Sequence, residues 1–249
     1  MRAVVAVLLL VTAAHAALWD FFQERQQAPD FRGILPSVSY TPFEPGHSVD
    51  AATDPEKIRA DLKSLSTVTR AVRLYTSTEG SELVPPIAAE FGMKVMLGIW
   101  IAKDVGRNDR EIEAAIDLAR HNGNVNGIVV GNETIFTDQQ IPIENLVPPS
   151  ERDAFAGEAA RILAEEAQRI KDAEAAPEQE RDKASKWAND ENNAQRLIRL
   201  IQRVKKSVNV GNVPVTTGDI YSVWSEHPSL ASAAEFIAAH VLPYWERFS

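Results

Sequence analysis

A parallel α/β architecture of the (β/α)8 barrel type is the fold the sequence predicts, and three observations predict it. Short β-branched, apolar runs alternate with segments of helical period through the first half of the chain. The run Ile128-Val129-Val130 has no polar face, as expected of a strand covered on both sides in a parallel sheet. The links between units are short, which argues for right-handed strand–helix–strand crossovers.

Taken in order, residues 33–40 read as a first strand ending in Tyr40, followed by a loop over 41–46. Thr53-Asp54-Pro55-Glu56 reads as a capping box with proline at the first helical position. Ile58, Leu62 and Leu65 then share a helical face. Residues 71–75 form a second strand. Leu83, Ile87 and Phe91 mark a helix ended by Gly92, and 94–100 a third strand. Asn108 or Asp109 is predicted to cap the next helix, whose face holds Ile112, Ile116 and Ala119. Asn122-Gly123 ends it, and the strand through 128–130 follows.

The period then breaks. Residues 150–206 are rich in Ala, Glu, Gln, Lys and Arg, and Pro177 divides them. They read as a helical hairpin, an insertion over about 150–190, whose second helix packs on the sheet as the ordinary fourth helix. Its charges are expected to form a solvated face. Residues 213–219 form a fifth strand, with Pro214 near its start, where a strand tolerates it. Tyr221, Trp224 and His227 fall in a loop, 228–234 in a short helix, and 236–240 in a sixth strand. A full barrel takes on the order of 250 residues. The leader and insertion use much of that length, so an incomplete barrel of about six strands is expected, with two open edges and poor solubility.

The 249 residues carry a net charge of −9 with no long basic run, which argues against a nucleic-acid partner. The chain has no cysteine, so disulfides, thiolate metal sites and a cysteine nucleophile are excluded. The histidines at 47, 121, 227 and 240 show no metal-ligand spacing, and no Gly-rich phosphate loop or G-x-S-x-G elbow occurs. No metal or organic cofactor is implied. Arg2 precedes an apolar run, and Ala14-His15-Ala16 is an A-x-A cleavage pattern, so residues 1–19 read first as a secretory signal peptide. With Trp19 the segment approaches the roughly 17 residues that begin to span a bilayer, so a membrane anchor is the alternative. Residues 20–32 read as a polar tether, and 33–249 as the barrel domain.

The candidate site comes from the strand ends. Tyr40, Arg73 with Tyr75, Trp100, Asn132 with Glu133, Asp219, His240, and Tyr244 with Trp245 all fall there, and Trp224 lies in a nearby loop. In a barrel the carboxyl ends of the strands converge on one mouth. Aromatic faces there suit sugar rings, polar groups suit hydroxyls, and a carboxyl acid completes a glycoside-cleaving arrangement. Core packing is the commoner role of a single aromatic; the whole set at consecutive strand ends favours a site. Glu133, near apolar neighbours, is the expected general acid. Asn132-Glu133-Thr134 also matches a glycosylation sequon, which needs an exposed loop.

The segments PSVSYTPF, EKIRADL, RAVRLYTS, LVPPIAAEFGMKVMLGIWI, NDREIEAAIDLAR, VVGNE, VPVTTGD and FIAAHVLPYWE stand in one order from about Leu35 to Glu246. This pattern resembles glycoside hydrolase family 17, the β-1,3-glucanase family, and its bacterial glucanosyltransferase branch. The resemblance implies a (β/α)8 barrel, a retaining mechanism, a β-glucan substrate, Glu133 as acid/base and Asn132 near the substrate 2-hydroxyl. The strand-end aromatics and His240 would line sugar subsites. Asp219 stands where bacterial relatives often carry glutamate. The family nucleophile, in a G-E-x-G-W-P-like motif on strand seven, has no counterpart; Gly157-Glu158 falls inside the insertion. Asp219 and Glu246 are the only substitutes near the mouth, and neither lies on the strand opposite the acid. The chain therefore reads as an enzyme domain ended after strand six, a non-catalytic glucan binder derived from one, or the front of a membrane glycosyltransferase.

Overall fold

The computed structural model describes residues 2–22, 32–42, 53–208 and 213–241. The chain divides into two units, residues 1–33 and 34–249. The first holds a single helix, α1 (Arg2–Phe22), with every side chain exposed. It is long and apolar enough to cross a membrane, a property signal sequences share. It runs on into the stretch read as a tether, because Phe21 and Phe22 continue its apolar surface.

The second unit is a curled half-barrel of six parallel strands in sequence order. The strands are β1 (Val38–Ser39), β2 (Ala71–Arg73), β3 (Lys94–Ile99), β4 (Val125–Asn132), β5 (Val215–Ile220) and β6 (Ala238–His240). The ladder continues past the shortest of them, since Tyr40 N–H donates to the Arg73 carbonyl and Leu74 N–H to that of Met96. Helices α2 (Pro55–Leu65), α3 (Val84–Glu90) and α4 (Val105–His121) cover the crossovers of the first half. Asp54 caps α2, accepting from Glu56 N–H, with Pro55 at the first helical position.

The predicted cap of α4 is corrected: the helix starts earlier, with Asp104 accepting from Arg107 N–H at 2.7 Å. Asn108 and Asp109 are buried in its second turn. There the Asn108 amide bonds both polar backbone groups of Ala102 and the Asn145 side chain.

Alternation along the strands separates two faces. Val72, Leu97, Ile128, Val130 and Val215 are fully buried on the convex side, against Ile58, Leu62, Ile112, Leu197 and Ile201 of the helices. The register pairs Ser39 with Arg73, Arg73 with Met96 and Met96 with Gly127 on the concave side. That side is polar and glycine-rich, so the curled sheet is left with an open bowl.

The insertion is the expected hairpin, α5 (Arg152–Glu174) and α6 (Arg181–Val208), and α6 packs on β4, β5 and α4 as the fourth crossover helix. Its charges are not all solvated, which corrects the sequence reading. Glu166 is buried and takes a two-pronged ion pair from Arg196, at 2.7 and 2.6 Å. Arg203 is buried against Asp109 and donates to the Asn145 carbonyl at 2.6 Å. A charged side chain removed from water has to be paired, and the same two arginines tie the hairpin to the loop after β4 through the Ile141 and Asn145 carbonyls. After β5 come α7 (Tyr221–Glu226) and α8 (Pro228–Ala233). Trp224 and His227, expected in a loop, are instead buried, and His227 Nδ1 lies 2.8 Å from Glu191.

Two glycines in contrasting surroundings offer a test. A Cβ on Gly98 would stand 2.4–2.6 Å from the backbone of Leu74 and Tyr75, closer than real atoms approach. Gly98→Ala is expected to cost roughly 1–3 kcal/mol in urea unfolding, as overpacking does. Gly157→Ala, on α5 with nothing within 4 Å of the new carbon, is expected to stabilise by about 0.5–1 kcal/mol.

Candidate active site

At the carboxyl ends of the strands a chain of side-chain contacts crosses the bowl. Arg73, from the end of β2, donates from Nη2 to Asn132 Oδ1 at 2.9 Å and from Nη1 to His240 Nε2 at 3.0 Å. The Glu133 Oε1 oxygen lies 2.7 Å from His240 Nδ1. Arginine is only a donor, so Nε2 of His240 has to accept. The ring proton therefore sits on Nδ1 and is donated to the Glu133 carboxylate. By the same reasoning Arg73 fixes the Asn132 amide with its oxygen inward and its NH2 as the remaining donor. The Glu133 side chain keeps 24% of its surface exposed and His240 16%, so the pair is reachable from the bowl.

This cluster needs the sheet to curl. Flat strands spaced about 4.8 Å apart would set β2 and β6 roughly 19 Å from each other. Gly218 on β5 makes the approach possible: a Cβ there would lie 2.8 Å from Arg73 Nη2 and 3.3 Å from His240 Nε2. Burial pushes the Arg73 guanidinium below its ordinary value, opposed by Tyr75 and Glu133. Its Nε is buried with no protein partner, and its guanidinium carbon stands 4.9 Å over the Tyr75 ring. Tyr75 in turn meets Ser39 through its hydroxyl at 3.0 Å.

The backbone at Glu133 is unusual and held from several sides. Its φ of +52° lies in the left-handed region, two residues after Gly131 at +74°. Glu133 N–H donates to the Gly218 carbonyl at 2.7 Å, and its own carbonyl accepts from Thr137 N–H and Oγ1. Asp219, fully buried, accepts from Ile135 N–H at 3.1 Å and from Ile220 N–H at 2.9 Å. A second buried carboxylate, Glu111 of α4, organises the neighbouring loops. It accepts from the hydroxyls of Thr76 and Thr78, from Ser77 N–H at 2.9 Å and from Trp100 N–H at 3.4 Å.

Of the residues singled out in the sequence, the structure brings Arg73, Tyr75, Asn132, Glu133 and His240 into one network. Trp100 is half-buried at the end of β3. The Tyr40 hydroxyl donates to Asp61 at 3.0 Å, and burial first, then Asp61, holds the phenol above its ordinary range. Asp219 turns to the backbone of the Glu133 loop, and Trp224 is enclosed in α7. Tyr244, Trp245, Glu246 and His47 lie outside the described residues. The glycosylation sequon lacks the exposed loop it would need: Thr134 is fully buried and the Asn132 amide is engaged by Arg73. Glu111, Ser39 and Gly218 were not singled out. For Gly218 the signal was the Gly-Asp pair; for Glu111 an i-to-i+4 helical pattern carries none. Among the described residues no group of three or more acidic or histidine side chains is arranged to hold a metal.

Burial pushes the Asp219 carboxyl up to about 6, with Glu133 adding to the rise and the N–H donors of Ile135, Ile220 and Phe136 opposing it. A raised carboxyl contributes most to stability below its unfolded value and loses that contribution as pH rises through about 6. Denaturant unfolding between pH 4 and 7 is therefore expected to show wild type losing up to about 3 kcal/mol relative to Asp219→Asn. A pH-independent gap would contradict this placement of the carboxyl.

The family model described as the BtgE/BtgC glycoside hydrolase domain matches residues 37–150. The probable glucan endo-1,3-β-glucosidase btgC of Aspergillus flavus is 30% identical over 117 residues, covering 43% of this chain and 17% of that protein. The glucan endo-1,3-β-glucosidase btgC of Emericella nidulans is 29% identical over 112 residues, 41% of this chain and 17% of that protein. The chain thus spans under a fifth of the curated relatives it matches. Among solved structures, a glycoside hydrolase family 17 β-1,3-glucanosyltransferase from Rhizomucor miehei superposes with a TM-score of 0.54 at 18% identity. It covers 86% of this chain and 59% of its own. An active-site mutant of that enzyme in complex with laminaritriose gives 0.52 at 19% identity, over 85% and 58%. The chain thus resembles the BtgE/BtgC glycoside hydrolase domain over residues 37–150, and over most of its length it shares its fold with part of the Rhizomucor miehei structure.

Proposed function

We propose that this chain carries the acid/base half of a retaining glycoside hydrolase or transglycosylase that acts on β-1,3-linked glucan. The observation that carries the reading is the Glu133–His240–Arg73–Asn132 network, built from three strand ends and open to the bowl. Glu133 protonates the leaving glycosidic oxygen and then draws the proton from water or an acceptor hydroxyl. His240 donates to the carboxylate, holding its orientation. Arg73 fixes the His240 tautomer and turns the Asn132 NH2 outward as a donor for a sugar hydroxyl. Retention needs a second carboxyl group about 5–5.5 Å from the first. Asp219 is a carboxyl whose charge couples to Glu133, and both its oxygens are engaged by backbone N–H groups. The nucleophile is therefore assigned outside this stretch. The relatives named as glucan endo-1,3-β-glucosidases and the laminaritriose complex of the fold neighbour support the substrate class. The exposed apolar helix α1 supports export, as a signal peptide or as an anchor.

A second reading, a glucan binder without turnover, rests on that same engagement of Asp219. Turnover of laminaritriose by the full gene product separates the two. Released or transferred glucose units are expected, and Glu133→Gln is expected to slow the reaction about 10²–10⁴-fold, as loss of a general acid does. Binding of the trisaccharide should survive the substitution. Binding without turnover in wild type selects the binder; unchanged turnover in Glu133→Gln overturns the role of that carboxyl.

A further inference from the structure

Beside the Glu133 network lies a second concavity that the reading above does not use. Its volume is about 570 Å³, within the roughly 300–1,000 Å³ of ligand sites. Its floor joins Ile135 and Ile220, the residues whose N–H groups both bind the Asp219 carboxylate. One wall is Phe136, 56% exposed, on the loop that carries Glu133. Trp187 of α6, 50% exposed, also lines the concavity. Lys186, paired with Asp190 at 2.5 Å, stands at the rim.

A single exposed aromatic is ordinary, but two that line one groove make an exposed apolar patch, which marks interaction sites. The chemistry of the groove is specific: two flat apolar faces, with a fixed cation and carboxylate at the edge. A pyranose ring offers apolar C–H faces to such side chains and hydroxyls to such a rim. Phe136 sits three residues from Glu133, so the groove and the bowl share the loop between them. We propose that this groove is an additional sugar subsite, contributed by the helical insertion, which binds glucose units of a β-1,3-glucan beyond those held over Glu133. The insertion thereby lengthens the stretch of glucan that is recognised. This rests on the glucan reading, and its failure can be told apart from the failure of that reading.

The test is calorimetric titration of the chain with laminaritriose and with the β-1,3-linked glucose hexamer. The hexamer is expected to bind at least about tenfold tighter than the trimer. Trp187→Ala should remove that gain while leaving the trimer affinity unchanged, and Phe136→Ala should do the same. Both positions are half exposed, and thermal melts of both variants report whether the fold is kept. A hexamer that gains nothing over the trimer, or a gain that survives both substitutions, overturns the subsite. A wild-type chain that binds neither sugar overturns the glucan reading itself.

Discussion

The contact between Arg73 and His240 is the constraint on which the rest of the site depends. The two residues come from strands four places apart in the sheet, yet their nitrogens stand 3.0 Å from each other. Only a strongly curled sheet brings them so close. The curl in turn requires that no side chain occupy the space between them, which is why β5 carries glycine at 218. Once the contact forms, hydrogen-bond logic runs outward in both directions. A donor-only arginine dictates the imidazole proton, which dictates the carboxylate contact, and the same arginine dictates how the Asn132 amide lies. Four side chains from three strands thus take one arrangement, with few alternatives open to any of them.

Around that contact, buried carboxylates on either side hold the loops. Glu111 gathers the turn after β2 and the end of β3 by accepting from two hydroxyls and two backbone N–H groups. Asp219 does the same for the loop after β4. Both sacrifice hydration, and both recover it through oriented donors. Glu133 is therefore presented from a loop braced from beneath by strand β5, and the neighbouring loops are braced by helix α4. The helical hairpin adds a third brace, since its buried ion pairs reach the loop after β4 through Arg196 and the Ile141 carbonyl.

Much of this was legible in the residues. Strand order, the parallel sense, the hairpin and the five members of the central network follow from alternation, from β-branched runs and from the rule that strand ends converge. What was not legible depends on three-dimensional neighbours. A helix shows its apolar face by period, but nothing in the run around Glu111 says that one acid points inward to a loop. The cap of α4 went to Asp104 because the side chain of Asn108 was already committed to Ala102 and Asn145. Glu166 and Arg203 read as solvent charges until their partners, 30 or more residues away, are in place. Asp219 looked like a mouth residue from its place at a strand end, and its engagement by Ile135 depends on how the loop after β4 folds back.

If Glu133 is the acid proposed above, its left-handed backbone sets folding and chemistry against each other at one position. A glutamate there costs of order 1–3 kcal/mol that glycine would not, and asparagine would be more at ease than any long side chain. Selection for robustness alone would drift away from the acid, toward small residues that relax the turn and cannot carry a proton. A glutamate that persists at such a site in a lineage records a use for its carboxyl. Its replacement by glycine or asparagine in a sister sequence would mark where that use has lapsed.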